Sequence, residues 1–430
     1  MPEKHQKEPI LLTKICPDMK KKLFICILTA LFISCTSTQE KNTGISTIID
    51  IESSIRHDTG FKVSDFGKTI RYIPLETTDD CLIGNKPIVK VLENYILIES
   101  NQRCLLFDKK DGRFISAIGH TGQDPEAYSS SFCWADEKED YLYFTRQPNQ
   151  LIKYDMKGNF CGKTEFPSPP GLASYYLITD SGIIGYYNDL NANKKFVLAR
   201  FEKNGTLRDT IPSLLSQTEE SLNDILNVSV IKETDTYGNW AKAGVIIINY
   251  KNDNKQIIAP NTAALWRNSG HTYFKEIFVD TIYTITNQGL SPALIFNTGK
   301  WHWPEKERTH TNGTNARIFI TEVSENNLFL FFQCIKGLYS GEPVLYNGLY
   351  NKKTGETKIV KNSDAIQDDL TGFMPFKPLT ISTSGEFASL IEASDIMEWT
   401  EEHPEATNNG RLSFLQHLTE DMNPVIVLVE

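Results

Sequence analysis

The chain has 430 residues, of which 40% are hydrophobic and 23% charged, the balance of an ordinary folded protein. Its formal net charge of −10 argues against a nucleic-acid partner, because phosphate binding needs a basic surface. Aromatic residues make up 11% of the chain, which favours strands over helical bundles. Large all-β folds often form one domain at this length, so the composition predicts a single all-β unit.

The N-terminal region has the layout of an export signal. Residues 20–33 combine three lysines with an apolar run that is too short to cross a bilayer, which needs about 20 residues. Ser34 and Cys35 follow, and a cysteine directly after a small residue is similar to a bacterial lipobox. We predict a signal region over 1–34, with translation starting at Met19, and lipidation of Cys35. An ordinary signal peptide cut nearby is the alternative.

The segment after the lipobox is polar and of low complexity. We predict that residues 35–60 form a lipid-anchored tether and lead-in, and that residues 61–430 form one domain. The sequence predicts an envelope protein at the outer membrane. Because the tether lacks an early acidic run of the kind associated with surface export, the sequence does not select the periplasmic or the surface face.

The cysteines exclude the common zinc and redox signatures, since no two of the eight lie in a C-x-x-C arrangement. Five of them follow Cys35. An odd number argues against a full disulfide framework but leaves one bridge open. Most of the five sit beside apolar residues and are interpreted as small core side chains.

From about residue 60 onward, short apolar runs alternate with turn residues, the pattern of β-strands. The runs predicted as strands are 68–75, 88–98, 141–145, 243–250, 316–321, 328–333 and 424–430. One helix is predicted at 410–419, because Leu412, Leu415 and Leu418 recur at helical spacing.

A hairpin repeats along the chain. Two strands flank a turn glycine at Gly112, Gly158 and Gly205, where glycine can adopt a positive φ without steric cost. These glycines are 46 and 47 residues apart, the length of a four-stranded propeller blade. Looser hairpins around Gly289 and Gly355 continue the repeat at longer intervals, which indicates insertions between blades.

The repeat predicts the fold class. Five hairpins and a terminal blade give an all-β, six-bladed β-propeller of four-stranded antiparallel blades. The early strand at 68–75 would pair with the C-terminal strand and close the ring, which removes free sheet edges. A seven-bladed propeller is the alternative.

Several short sequences support this fold by resemblance. The chain is similar, in order, at 72–78, 82–84, 119–128, 279–283, 373–376 and 423–425 to a family of six-bladed β-propeller lipoproteins from Bacteroides and its relatives. That family is in turn similar to NHL-repeat propellers. The resemblance departs from the family pattern where Asp124 replaces a glycine and Ala127 separates Glu126 from Tyr128. It implies the fold and the envelope location but no activity.

The loop at 119–128 is the first candidate binding site. Gln123 and Glu126 could form hydrogen bonds with sugar hydroxyls, and Tyr128 could stack on a sugar ring. The alternative, which we favour, is a structured turn that positions the next strand.

The sequence Trp301-His302-Trp303, with His310 nearby, is the second candidate. Its indoles suit sugar stacking, and His302 could act as an acid or base near neutral pH. Packing between blades is the favoured alternative, since alternation along a strand would place both indoles on one face.

Metal and catalytic motifs are missing from the sequence. The histidines show no H-E-x-x-H spacing, the acidic residues show no EF-hand spacing, and no G-x-S-x-G elbow is present. A calcium site could use the acidic pairs 79–80, 368–369 and 420–421 with Asp136, although such pairs are more often solvated turns. We therefore predict no metal and no cofactor.

Two functions remain. The first is a binding or scaffolding propeller, held at the membrane by its lipid, which offers one face to a glycan, a peptide or another envelope protein. The second is a lyase or hydrolase, with histidines and acids from separate blades meeting at a central channel. We favour the first, because no catalytic motif accompanies the fold and fold alone does not assign an activity.

Overall fold

In the computed structural model, the strands belong to a unit that extends from Ser46 to Glu430. Its described residues are 47–57, 60–85, 87–136, 138, 140–187, 196–215, 221–231, 245–258, 264–307, 316–338 and 343–430. Strands dominate these ranges. No helix within them has the length and apolar character that a bilayer crossing requires.

The first half of the unit contains three sheets of the same design. Its strands are β1 (Thr47–Asp50), β2 (Ile70–Pro74), β3 (Ile88–Val91), β4 (Tyr95–Ser100), β5 (Arg103–Asp108), β6 (Phe114–Ala117), β7 (Cys133–Asp136), β8 (Tyr141–Arg146), β9 (Gln150–Asp155), β10 (Phe160–Glu165), β11 (Tyr175–Thr179), β12 (Gly182–Tyr186), β13 (Phe196–Phe201) and β14 (Leu207–Pro212). Strands β3–β6, β7–β10 and β11–β14 form antiparallel sheets in chain order, which we name sheets 1, 2 and 3.

The second half is less regular. Its strands are β15 (Ile225–Ile231), β16 (Val245–Tyr250), β17 (Lys255–Ile258), β18 (Leu265–Asn268), β19 (His271–Phe274), β20 (Thr281–Thr286), β21 (Gly289–Asn297), β22 (Ile318–Glu325), β23 (Phe329–Lys336), β24 (Val344–Asn351), β25 (Thr357–Lys361), β26 (Thr380–Ile381), β27 (Phe387–Ile391) and β28 (Val425–Val429). Sheet 4 is β18–β21 with β1 added in parallel to β21, sheet 5 is β22–β25, and sheet 6 is β26–β28 with β2. Strands β15–β17 form an inserted three-stranded sheet between sheets 3 and 4.

Short helices connect some of these strands. The α-helices are α1 (Ile51–His57) and α2 (Ala393–Glu402), and the 3-10 helices are Val63–Asp65, Leu222–Asp224, Gly299–Trp301, Glu305–Glu307, Asn362–Asp364, Pro404–Asn408 and Gly410–His417. The helix predicted at 410–419 is thus a 3-10 helix. Its predicted apolar residues Leu412, Leu415 and Leu418 are buried.

Most of the predicted strands are present, with one correction. The strand predicted at 88–98 is in fact β3 and β4, because the chain turns at 93–94 and Leu92 donates a backbone hydrogen bond to the carbonyl of Tyr95 at 2.8 Å. The five predicted hairpins correspond to the antiparallel pairs β5–β6, β9–β10, β13–β14, β20–β21 and β24–β25. The prediction of an all-β propeller fold built from four-stranded antiparallel sheets is confirmed.

The folded unit starts earlier than residue 61. Within the predicted lead-in, Ile49 on β1 and Ile51 on α1 are fully buried against sheets 4 and 5. β1 extends sheet 4 by pairing with β21, with Ile49 opposite Phe296. The second half of the lead-in is therefore part of the core.

Apolar side chains pack each sheet against the next one. Separate buried clusters join sheets 1 and 2, 2 and 3, 3 and 4, 4 and 5, and 5 and 6. A further cluster joins sheet 6 to sheet 1, where Ile426 packs with Ile96 and Phe107. β2 pairs with β28 along their whole lengths, from Ile70 opposite Val429 to Pro74 opposite Val425, which confirms the predicted pairing of the early and C-terminal strands.

Close packing against a neighbouring sheet explains why two of the repeated turn residues are glycine. A Cβ at Gly112 (φ +77°) would lie 2.1 Å from the carbonyl oxygen of Pro74, and one at Gly205 (φ +90°) would lie 2.0 Å from that of Glu165. Pro74 lies on β2, an edge strand of sheet 6, and Glu165 lies on β10, an edge strand of sheet 2. Each carbonyl therefore belongs to a sheet that neighbours the glycine's own sheet. Only glycine permits this close approach of backbone to backbone, so the turn and the sheet-to-sheet contact require the same residue.

Candidate functional site

One edge strand from each of sheets 1 to 6 lines a single cavity of about 1010 Å³. Each of β3, β7, β11, β18, β22 and β26 contributes to its lining, together with the turn that follows it. The described part of the inserted sheet contributes none. The cavity is therefore the place where side chains from all six sheets meet.

Glu322 supplies an acid to the wall of this cavity. The pairing of β22 with β23 shifts between Ile320 and Glu322, and such a bulge re-aims the side chains beside it. Glu322 is half-buried, and its carboxyl forms no hydrogen bond or ion pair within the described ranges. Burial raises the pKa of its carboxyl to about 7, because a charged carboxylate is poorly solvated there.

Tyr175 on β11 lies close enough to Glu322 for the two groups to interact electrostatically. Burial raises the pKa of the Tyr175 hydroxyl to about 12, and the negative charges of Cys133 and Glu322 raise it further. The phenol is therefore a neutral hydrogen-bond donor at physiological pH. A carboxyl that is partly ionised at neutral pH and an uncharged phenol thus both line the cavity.

An aromatic group covers another part of the wall. The ring centroids of Phe132, Trp134 and Tyr175 are 5.1 to 6.4 Å apart. The Nζ of Lys90, from the neighbouring sheet, lies 3.5 Å from the centre of the Phe132 ring and donates a hydrogen bond to the carbonyl of Cys133. Cation–π contact and this hydrogen bond hold the ammonium group against the wall.

Amide and hydroxyl groups lie beside the cavity at the turns that follow these edge strands. The Ser269 hydroxyl donates to the Asn327 side chain at 2.7 Å, and the Asn326 amide donates to the carbonyl of Gly385 at 2.8 Å. These bonds link the turns of sheets 4, 5 and 6. Lys138 and Asp180 form an ion pair at 2.9 Å between the corresponding turns of sheets 2 and 3.

The predicted binding loop at 119–128 lies away from the cavity lining. Tyr128 is 1% exposed, stacks on Phe144 at 4.4 Å and donates its hydroxyl to the carbonyl of Ile118 at 3.1 Å. Because its ring is part of the core between sheets 1 and 2, Tyr128 does not offer the stacking face suggested for it.

The other two residues of that loop, Gln123 and Glu126, are exposed. Their backbone carbonyls are held by neighbouring side chains: Arg146 donates to Gln123 at 3.2 Å, and the Tyr154 hydroxyl donates to Glu126. These bonds favour the interpretation of the loop as a structured turn.

The residues of the second candidate are separated by packing. Trp301 is 7% exposed in the cluster between sheets 4 and 5, whereas Trp303 is 4% exposed in a different cluster beside the inserted sheet. Trp301 ends a 3-10 helix and Trp303 lies beyond it, so the two residues do not alternate along a strand and their indoles do not share a face. His310 lies outside the described residues.

His302 between them is exposed and pairs with an acid. Its Nδ1 lies 2.8 Å from an Oδ of Asp280, and this hydrogen bond raises the pKa of the imidazole. No sequence pattern linked His302 to Asp280. Neither residue lines the cavity.

The acidic pair at 368–369 has structural partners. The Asp368 carboxylate accepts a hydrogen bond from the Tyr72 hydroxyl at 2.8 Å, and Asp369 forms an ion pair with Lys62 at 2.7 Å. Across the described ranges, no three His, Cys, Asp or Glu side chains are arranged to hold a metal ion.

Sequence reasoning missed the cavity residues. Glu322, Tyr175 and Lys90 belong to different sheets and to no local motif. The available signal was weak: an acidic residue that closely follows the apolar residues 318–320.

A family model described as a domain of unknown function (DUF4934) matches residues 46–430. No curated protein matches the chain. A putative exported protein from Bacteroides fragilis is similar in structure, with a TM-score of 0.60, 16% identity and coverage of 89% of this chain and 99% of that one.

Two further structures are similar at lower scores. The WD40 domain of SCAP from fission yeast has a TM-score of 0.31 and 9% identity, with 75% of this chain and 82% of that one covered. BamB from Moraxella catarrhalis has a TM-score of 0.26 and 12% identity, with 57% and 68% covered.

Proposed function

The chain belongs to the DUF4934 family, and we propose that it is a binding module whose sheets 1 to 6 are the blades of a closed ring around a ligand site. The cluster between sheets 6 and 1 and the pairing of β2 with β28 support the closed ring. The shared cavity supports the site, since ligand pockets commonly have volumes of about 300 to 1,000 Å³.

The single observation that carries this proposal is Glu322, an acid in the cavity wall with no partner within the described ranges. A buried carboxylate is stable only when a cation or several donors compensate its lost hydration. The ligand we propose therefore presents an ammonium group to Glu322. The Tyr175 hydroxyl would donate a hydrogen bond to the same ligand, and the aromatic wall would pack against its apolar part.

The alternative function, a lyase or hydrolase, receives less support. It requires histidines and carboxylates that converge on one point of the channel. Among the described residues that line the cavity, none is a histidine. The exposed pair His302–Asp280 lies outside the cavity lining and has no second histidine among its bonded partners.

We also propose that the protein is exported and anchored in the envelope through Cys35, at the outer membrane. The layout of residues 20–35 supports this location. The ammonium group would then come from a peptide, a glycan or another envelope protein. The tether at the membrane would keep the cavity close to such a ligand.

Calorimetric titration with matched probes tests the proposed ligand chemistry. Nα-acetyl-lysine amide carries an ammonium group, and its Nε-acetylated form does not; glucosamine and N-acetylglucosamine form the second pair. We expect the charged lysine probe to bind about tenfold or more tightly at pH 8 than at pH 5.5, because Glu322 becomes charged between these values. The glucosamine pair distinguishes a glycan source from a peptide source.

Two variants complete this test. Glu322→Gln should abolish the preference for the charged probe, whereas the exposed control Glu126→Gln should retain it. Equal binding of the charged and acetylated probes by the wild type would contradict the proposal. Unchanged binding by Glu322→Gln would contradict it as well.

A further inference from the structure

Two cysteines meet in the core between sheets 1 and 2. The Sγ atoms of Cys104 on β5 and Cys133 on β7 are 4.0 Å apart, and the residues are 1% and 3% exposed. Cys81, Cys161 and Cys334 are the other cysteines of the described chain, and no contact between sulfurs involves them. The pair is thus the one place among the described cysteines where two thiols are in van der Waals contact.

We propose that Cys104 and Cys133 are a disulfide-forming pair, which links sheet 1 to sheet 2 covalently when the protein folds in an oxidising compartment. Disulfides persist in exported proteins and are rare in the cytosol, so this inference uses the proposed export but not the proposed ligand. The odd number of cysteines after Cys35 fits one bridge and three remaining thiols.

The chemistry balances by thiol–disulfide exchange. One cysteine loses its proton and attacks a disulfide of an oxidoreductase, which releases the first thiol of that enzyme; the second cysteine then displaces the enzyme and releases its second thiol. The two cysteines together lose two protons and two electrons, and the oxidoreductase disulfide is reduced to a dithiol. In vitro, oxidised glutathione serves as the same class of oxidant.

The geometry favours this pair over any other. A disulfide bond is about 2.05 Å long, so the two sulfurs must approach by roughly 2 Å, which a side-chain rotation and a small shift between sheets can supply. β5 is the third strand of its sheet and β7 the first strand of the next. The bond would therefore join two neighbouring sheets covalently.

The position also gives the bond a local consequence. Cys133 lines the cavity, and its carbonyl accepts the hydrogen bond from Lys90. A covalent link at Cys133 would fix this part of the wall. Because both thiols are buried, the bond should form during folding, and the folded reduced protein should oxidise only slowly.

Peptide mapping of the full-length protein isolated from the envelope tests the pair directly. Free thiols are blocked with N-ethylmaleimide during lysis in denaturant, which exposes the buried cysteines, and the unreduced protein is digested with trypsin. We expect peptide 104–109 to be linked to peptide 114–138, which contains Cys133, and to separate from it after reduction. Recovery of both peptides only in their N-ethylmaleimide-modified forms would overturn the proposal.

Thermal unfolding with and without dithiothreitol gives an independent readout. The wild type should lose about 5 °C of Tm in the reductant, because the link restricts the unfolded chain. Cys104→Ala should show no response to the reductant. Cys334→Ala, a buried cysteine with no sulfur neighbour in the described chain, should respond as the wild type does. Equal Tm values of the wild type in both conditions would overturn the proposal, whether or not Cys104→Ala folds.

Discussion

The loop at 119–128 and the wall of the cavity differ in how their polar groups are hydrogen-bonded. In the framework loop at 119–128, the backbone carbonyls of Gln123 and Glu126 are bonded by Arg146 and Tyr154. In the cavity wall, the Glu322 carboxyl has no such partner within the described ranges. The two loop carbonyls are thus bonded within the fold, whereas the Glu322 carboxyl is without a bonded partner among the described residues. A loop rich in functional residue types can therefore be structural. A polar side chain without a hydrogen-bond partner is the better indicator of a candidate binding site.

We expect the greatest loss of stability from a substitution at Gly205, a turn glycine that packs against the neighbouring sheet. Gly205→Ala would place a Cβ 2.0 Å from the carbonyl of Glu165, so the turn and sheet 2 must separate. We expect a loss of about 3 kcal/mol or more in the free energy of unfolding, measured by urea denaturation. Gly355 is the matched control, since it has a similar φ of +75° but no atom within 4 Å of the added Cβ. Gly355→Ala should cost about 1 kcal/mol, the strain of a positive φ alone.

A similar loss in the two alanine variants would show that backbone strain, and not the contact between sheets, explains the glycine at position 205. The described role of that turn in joining sheets 2 and 3 would then be wrong.

The second prediction concerns the cavity. The folded-state pKa of Glu322 is raised to about 7 from an ordinary value of 4.5, so the folded protein holds this proton more tightly than the unfolded chain. The contribution to stability is complete below pH 4.5 and is lost as the pH rises to 7. We expect this loss to be about 1 to 3 kcal/mol, and Glu322→Gln should remove it.

The measurement is the difference in unfolding free energy between the wild type and Glu322→Gln at pH 5, 6 and 7. A constant difference across this range would show that Glu322 titrates at its ordinary pKa and is well solvated.

The smallest effect concerns His302, which belongs to the exposed surface rather than to either region. Its hydrogen bond to Asp280 raises the imidazole pKa, so its stabilising contribution is present at low pH and is lost as the pH rises through the raised value. Asp280→Asn should lower the pKa of His302, as measured by NMR titration. It should leave binding of the lysine probe unchanged; altered binding would connect this pair to the cavity.

The local parts of the fold were predictable from the sequence. The hairpins at Gly112, Gly158 and Gly205 are visible because a turn glycine and two apolar runs lie within a few residues of each other. Of the inserted sheet, the sequence predicted one strand, at 243–250, and an insertion between blades, but not the three-stranded sheet. α2 was missed, although Ala393 and Ile396 are the buried residues of a helical spacing.

The site was not predictable in the same way. The environment of Tyr128 depends on Phe144, which belongs to the next sheet, so an aromatic residue in a loop became part of the core. Glu322 and Tyr175 are brought to one cavity by sheets 5 and 3. Such neighbours are set by the arrangement of the sheets and leave no local pattern in the sequence.

The titration of the Glu322 carboxyl, followed by NMR in protein labelled with ¹³C-carboxyl glutamate, is the decisive experiment for the proposed binding site. Glu322→Gln identifies the resonance. We predict a pKa of about 7 in the free protein and a clear fall of that pKa when Nα-acetyl-lysine amide is saturating, because the ammonium group stabilises the carboxylate. A pKa near the ordinary value of 4.5 in the free protein, or a raised pKa that the probe does not change, would contradict the assignment of this cavity as the binding site.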